Sequence, residues 1–282
     1  METAQALLKK FKDVKTLPHV AIQLNRLLAD PNSTISEFEK LIELDPTLVL
    51  RLLRIVNSPF YGLRQEVDNI SRAVMLLGIR NLHSMLIADA LKGVFKKGEG
   101  DGEGKGFSRT RLWLHSVAVS VCSKMITEQI FGEVGDTAYL CGILHEIGII
   151  VEDQTAPDLL LQVCKSGING SGSMTEYERK ILGTDHTEVG ALLAEAWGLT
   201  ADVQNAIRHH HDMDDITPDS IPGIIQISDY LVSGLQYPAV NGVNSLLAPD
   251  LSEFIKSNAN EFKAIMQDLP EAIAEAGEIF NT

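Results

Sequence analysis

From Tyr139 to Val151 the chain reads "YLCGILHEIGIIV", apolar residues and glycines interrupted by one ionisable pair, His145 and Glu146. A segment this apolar belongs in an interior. Read as a single helix over residues 136–151, it carries the two polar side chains inward with it, about 100° apart around the axis. A buried carboxylate is costly unless something compensates it, so a cation, a hydrogen-bond network or a wall open to a cavity has to come from elsewhere in the chain.

The histidines and acids of the second half supply candidates. His115 in "RLWLHSVAVSVCSKM" shares an inward row with Val119, Cys122 and Ile126. His186 opens "DHTEVGALLAEAWGL", with Asp185 and Glu188 at capping-box spacing, so its ring projects from the first turn of a helix. In "ADVQNAIRHHHD", His210 lies on the row of Val203, Ala206 and Ile207, and His211 stacks beneath Ile207. Asp229 stands between Ile225 and Val232 on a helix capped by Ser220 and led by Pro222. A lone histidine on an apolar face is ordinarily a hydrogen-bonded core residue. Five histidines and two carboxylates on the inward faces of successive helices are instead the donor set that divalent metals take.

The metal candidates are therefore His115, His145, Glu146, His186, His210, His211 and Asp229, with Glu146 and Asp229 as the catalytic carboxylates. Such a set can hold one or two divalent ions (Fe, Mn, Ni, Zn or Mg), two lying about 3.5–4 Å apart with a carboxylate between them. Arg111, one turn before His115, puts a cation beside the site, where it would oppose metal loading or bind a phosphate.

The rest of the sequence is patterned as helix, without a convincing strand. Thr34 and Glu37 form a capping-box pair ahead of the stripe Ile35, Phe38, Leu41 and Ile42. Asp45 and Pro46 open a helix with Val49, Leu52, Leu53 and Val56 on one face, which "NSPFYG" ends. Further helices are expected over about 18–29, 71–95 with an interruption at Gly78, 108–131, 175–183, 187–197, 201–211 and 221–236, with two more near the C-terminus. The stretch "KKGEGDGEGKGFS" cannot bury enough apolar surface to offset its backbone entropy, so it reads as a linker. The expected division is an N-terminal helical unit 1–97, a Gly-rich linker 98–107, and a site-bearing helical unit 108–282.

Composition narrows the partners. With 38 acidic against 24 basic residues the formal charge is −14, and no basic cluster offsets it, so a nucleic-acid partner is not expected. The same balance opposes reading "RAVMLLGIRNLHSML" as a DNA-recognition helix pair. Three singly placed cysteines suit a reducing compartment, and no run of about 18 apolar residues or secretion-type leader occurs. A cytoplasmic protein without a membrane span is expected.

Taken in order, His115, "HE" at 145–146, His186, "HH" at 210–211 and Asp229 resemble the ligand series of the HD superfamily of metal-dependent phosphohydrolases. More narrowly, "LDPTLVLRLLRIVNSPFYG", "GILHEIG", "HTEVGALLAEAWGL" and "AIRHHHD" are similar to the HDOD family, the HD-related output domains of bacterial signalling proteins. The resemblance covers about residues 15–235. It implies an all-α HDOD fold with an HD-like C-terminal part, and a bacterial signal-transduction role exercised through a protein partner or a nucleotide or phosphate ligand, with a homo-oligomer also compatible.

Two departures from the family pattern bear on activity. Glu146 stands where the superfamily carries Asp, which moves the carboxylate outward by one methylene, on the order of 1 Å. The GYP signature of cyclic di-GMP phosphodiesterases does not follow the double histidine. The expectation is a binding module of little or no hydrolase activity, with a true phosphohydrolase as the alternative. As no receiver, kinase or cyclase segment accompanies the pattern, the chain is expected to receive its signal from another molecule or to serve as a binding endpoint.

Overall fold

The computed structural model describes residues 3–11, 23–24, 26–28, 30, 32–44, 46–58, 61–92, 95, 107–169, 172–240, 243 and 245–281. Among these there is helix and no strand, so the chain is all-α as its periodicity predicts. The Gly-rich stretch 98–106, Asp45 and most of the helix expected over 18–29 lie outside the described residues.

Helices α1 (Ala4–Lys10), α2 (Ile35–Glu43), α3 (Pro46–Val56) and α4 (Ile70–Lys92) make up the first third. The capping box at the start of α2 forms as read, with the Thr34 hydroxyl on the Glu37 amide and the Glu37 carboxylate on the Thr34 amide. Phe38 and Ile42 go inward, while Ile35 stays in solvent. The "NSPFYG" break is held by Asn57, whose amide bonds both backbone groups of Val67 at 2.7 and 2.8 Å and so acts as a strand neighbour would. Gly78 adopts φ +76°, the left-handed region that glycine enters without a Cβ clash, and breaks α4 into two runs.

Two apolar clusters result. One gathers Leu24, Phe38, Ile42, Leu52, Ile70 and Leu82; the other begins at Ile87 on the same helix α4 and extends through the second half. Helix α1, although first in the chain, packs Ala4, Leu7 and Phe11 into the second cluster, against the site-bearing helices. Ser84 also ties α4 to that body through the Asp136 carbonyl. His83 beside it, which outside the ligand series is expected to be exposed or locally bonded, is buried, and burial pushes its imidazole down to about 4.

The second body is built from α5 (Arg109–Gln129), α6 (Asp136–Leu144), α7 (Ile147–Thr155), α8 (Pro157–Asn169), α9 (Met174–Ile181), α10 (His186–Ala196), α11 (Ala201–His209), α12 (Ile221–Gly234), α13 (Pro249–Ser257) and α14 (Ala259–Asn281). Trp113 and Trp197 are core residues, and all three cysteines are free and buried. Helix α8, led by Pro157, is an element the sequence reading omitted. The single helix expected over 136–151 is two: it breaks at His145 and Glu146, whose backbone turns between α6 and α7. Likewise α11 stops at His209, leaving His210 as its C-cap and His211 beyond it.

Helix α7 presses on the start of α10 at Gly148, where a Cβ would sit 1.9 Å from the His186 carbonyl oxygen. Overpacking of this kind displaces backbone, so Gly148→Ala is expected to lower stability in urea unfolding by about 3 kcal/mol and to weaken divalent-metal uptake measured on the same sample.

Candidate metal centre

Three imidazoles are anchored by main-chain carbonyls. His115 Nδ1 lies 2.6 Å from the Tyr237 oxygen, His145 Nδ1 2.8 Å from that of Gly142, and His210 Nδ1 2.7 Å from that of Ile207. A carbonyl only accepts, so each Nδ1 carries the proton and each neutral ring turns a bare Nε2 lone pair inward. For His145 and His210 the break at 145–146 and the early end of α11 create this arrangement, because a ring at a helix end can fold back onto a carbonyl three residues before it, whereas His115, inside α5, is met by the Tyr237 carbonyl from a distant part of the chain.

The consequence is a deficit of positive charge. His115 Nε2 and His145 Nε2 face each other at 3.2 Å. With both Nδ1 atoms protonated, no proton remains to lie between them unless one ring is cationic. Burial first, then the neighbouring imidazoles of His210 and His115, holds His145 well below the ordinary histidine value; burial lowers His115 too, against the pull of Asp229. Two buried lone pairs in opposition are what a cation relieves. Asp229 Oδ1 stands 3.5 Å from His115 Nε2 and accepts from Ser245 at 2.9 Å and Ser233 at 3.3 Å.

The second group centres on His186. Its Nδ1 donates to Glu178 Oε2 at 2.7 Å, and its backbone amide reaches the same oxygen at 3.1 Å. On the other side, Nε2 lies 3.0 Å from Glu146 Oε2, yet neither atom completes an aligned hydrogen bond, and buried His210 Nε2 has no hydrogen-bond partner either. Burial opposes charge on His186, but the carboxylates of Glu146, Glu178 and Glu152 together outweigh it and raise its pKa well above the ordinary value. Burial pushes Glu146 up to about 7 against the opposing pull of His186. His210 is pushed down to about 3 by burial and by His186, and His211 also lies well below its usual range, burial being the main cause.

The seven candidate ligands thus come together as two adjoining groups, Glu146 with His186, His210 and His211, and His115 with His145 and Asp229. Within each, one donor atom per residue lies within 4.8 Å of the others. The His145 and His210 rings, 5.1 Å apart, join them. The orphaned Nε2 atoms, the imidazole and carboxylate donors and the outer supports fit a divalent ion in either group.

Arg111 is half-buried one turn before His115 and is not among the residues lining the adjacent cavity. That cavity, of about 130 Å³, has Glu146, His211 and Asp229 among its lining residues. Gln226, fully inside, donates to the carbonyls of His210 and Asp212 and accepts from the Ala248 amide, binding the ligand-bearing turn to the cavity wall.

Two acids escaped the sequence reading. Glu178 sits four residues from both Met174 and Leu182, an apolar row that was the available signal. Glu152 is buried beside it, and burial with the Glu178 carboxylate raises it well above the ordinary range. Asp185 caps α10 through the Thr187 and Glu188 amides, whereas Glu188 pairs with Arg208 instead of closing a capping box.

An all-helical body whose interior histidines and acids converge in this way defines a helical protein with a candidate metal centre. The family model for the HDOD domain matches residues 14–213, and the chain belongs to that family. A protein of Treponema pallidum (strain Nichols), named only as uncharacterized, is 27% identical over 217 residues; the match spans 74% of this chain but 40% of that protein's length. Among solved structures, a Shewanella amazonensis SB2B protein provisionally named a phosphohydrolase superimposes with a TM-score of 0.71 at 24% identity, covering 99% of this chain and 98% of its own. An HDOD domain protein of unknown function from Geobacter sulfurreducens gives 0.67 at 22% identity, with 95% and 96% covered. A Marinobacter aquaeolei VT8 protein provisionally named for signal transduction gives 0.73 at 19%, covering all of this chain and 62% of its own. At these identities the likeness is one of fold. No helix among the described residues is long and apolar enough to cross a membrane.

The raised His186 and Glu146 have a consequence for pH. An ion taking His186 must expel a proton held at neutral pH, and one taking Glu146 a proton held about half the time, so uptake at pH 7 should release on the order of one proton, and affinity should weaken as pH falls from 8 to 6, by up to about tenfold per unit for each proton displaced. Calorimetry in buffers of different ionisation enthalpy reads both. Glu178→Gln, which keeps the shape but removes the charge behind His186, is expected to weaken metal affinity about 10–100-fold in the same assay.

Proposed function

We propose that this chain is a cytoplasmic signal-transduction module whose output depends on a divalent metal centre and on a ligand or signalling protein that recognises its loaded state, with hydrolysis slow or lost. The supporting observation is that Glu146 and Asp229 fall in separate ligand groups, so that each group carries its own carboxylate. A divalent ion held there would neutralise an incoming oxyanion and acidify water. The protein's own part is to hold the imidazoles of His115, His145, His186 and His210 in fixed tautomers, surround the ligands with apolar side chains and present Glu146, His211 and Asp229 to the cavity. Arg111 is proposed as an outer contact for a phosphate group. A second reading, a metal-dependent phosphohydrolase, draws support from the intact outer supports on His115, His145, His186 and His210.

Elemental analysis of protein purified without chelator, combined with turnover assays on nucleotides and small phosphoesters, separates the two. The expected result is one or two ions per chain and turnover below about 0.01 s⁻¹, a thousandfold under the enzyme median of about 10 s⁻¹, with Glu146→Asp faster than the parent by at least about tenfold. Efficient turnover that His145→Ala abolishes would reject the binding module in favour of the hydrolase.

A further inference from the structure

The cavity beside the centre constrains what can sit on it. Its volume of about 130 Å³ is close to the roughly 150 Å³ of an engineered apolar cavity that takes up benzene, and well under the roughly 300–1,000 Å³ of pockets that hold drug-sized ligands. The walls are chiefly apolar, from Ile149, Met174, Met213, Val240, Val243 and Leu246, and among the described residues no lysine or arginine lines the space. The polar wall groups are engaged locally. The Ser173 hydroxyl accepts from the Glu176 amide and pairs with Thr175, the Glu176 carboxylate holds the Ser173 amide, and Ser245 donates to Asp229. What the wall leaves free is acceptor capacity on the exposed Glu176 carboxylate and no cation for a second phosphate, whereas the Glu146, His211 and Asp229 side belongs to the metal-ligand groups.

We infer that the centre takes a small ligand with one oxyanion head, phosphate or carboxylate, placed against those three residues, and a single uncharged apolar body about the size of a benzene ring in the cavity. Nucleotides are disfavoured, because the volume of about 130 Å³ is small for a nucleoside and its wall offers no cation to further phosphates. The inference rests on the metal reading above and narrows its ligand class. The oxyanion needs the ions because the wall supplies no cation, and the body is chosen by the side chains of Met174, Val240 and Leu246.

The test is calorimetric, on the full chain loaded with manganese(II) and checked by elemental analysis. The probes are phenylphosphonate, benzoate, methylphosphonate and adenosine monophosphate. Phenylphosphonate is expected to bind at least about tenfold more tightly than methylphosphonate, from burial of the ring, and more tightly than adenosine monophosphate. Comparison with benzoate tells which head is preferred, either order being compatible so long as the ring is favoured. Met213 and Leu246 are 39% and 46% exposed, so Met213→Asn and Leu246→Asn leave the core intact. Each should lower the phenyl preference by about threefold or more while methylphosphonate affinity and metal content stay unchanged. Equal affinity for the phenyl and methyl probes, or a preference for adenosine monophosphate, on metal-loaded protein overturns the inference alone. Failure to take up metal overturns the centre itself, and this inference with it.

Discussion

Unpaired polar groups inside an apolar body are the constraint on which this structure turns. Five imidazoles and two carboxylates share a space that would otherwise be filled by leucine and isoleucine, and desolvation drives their titration away from ordinary values. They are tolerated because each ring has one nitrogen hydrogen-bonded outward or lies against a neighbouring ring. In His115, His145, His186 and His210 the other nitrogen then faces inward, where the mutual repulsion of lone pairs is relieved by positive charge.

Packing serves that arrangement throughout. The chain interrupts helical hydrogen bonding at His145 and Glu146 and again after His209, which places ligands at helix ends, where rings can fold back onto the preceding turn. Gly148 lets α7 lie against the first turn of α10, so that Glu146 and His186 meet at 3.0 Å. Helix α1 covers both α7 and α10, which makes the start of the chain part of the body around the centre.

Much of this was legible in the amino-acid order. Helical spacing carried His115 and Asp229 inward, and the recurrence of ligand types on successive helices, joined to the HDOD-like motifs, marked the family. Thr34, Gly78 and Ser220 announced helix ends through chemistry local enough to read from neighbours. The break at 145–146 was not legible, because its cause is tertiary: the ring bonds back to Gly142 and is met by His115 from another helix. Glu178 lies on the row of Met174 and Leu182, a signal that the polar residues between them obscure, and the burial of Glu152 at the polar end of its helix shows only once Glu178 and His186 are in place. Of the coordination itself the sequence spoke only of residue types; the division into two groups depends on side-chain direction at helix ends.

The main-chain anchoring of His115, His145 and His210 has a genetic corollary. No codon change deletes a carbonyl oxygen, so the tautomers of these rings survive any single substitution that leaves the backbone path intact. Hereditary tuning of the centre's affinity is thereby funnelled to a few erasable supports, the Glu178 carboxylate and the hydroxyls of Ser233 and Ser245.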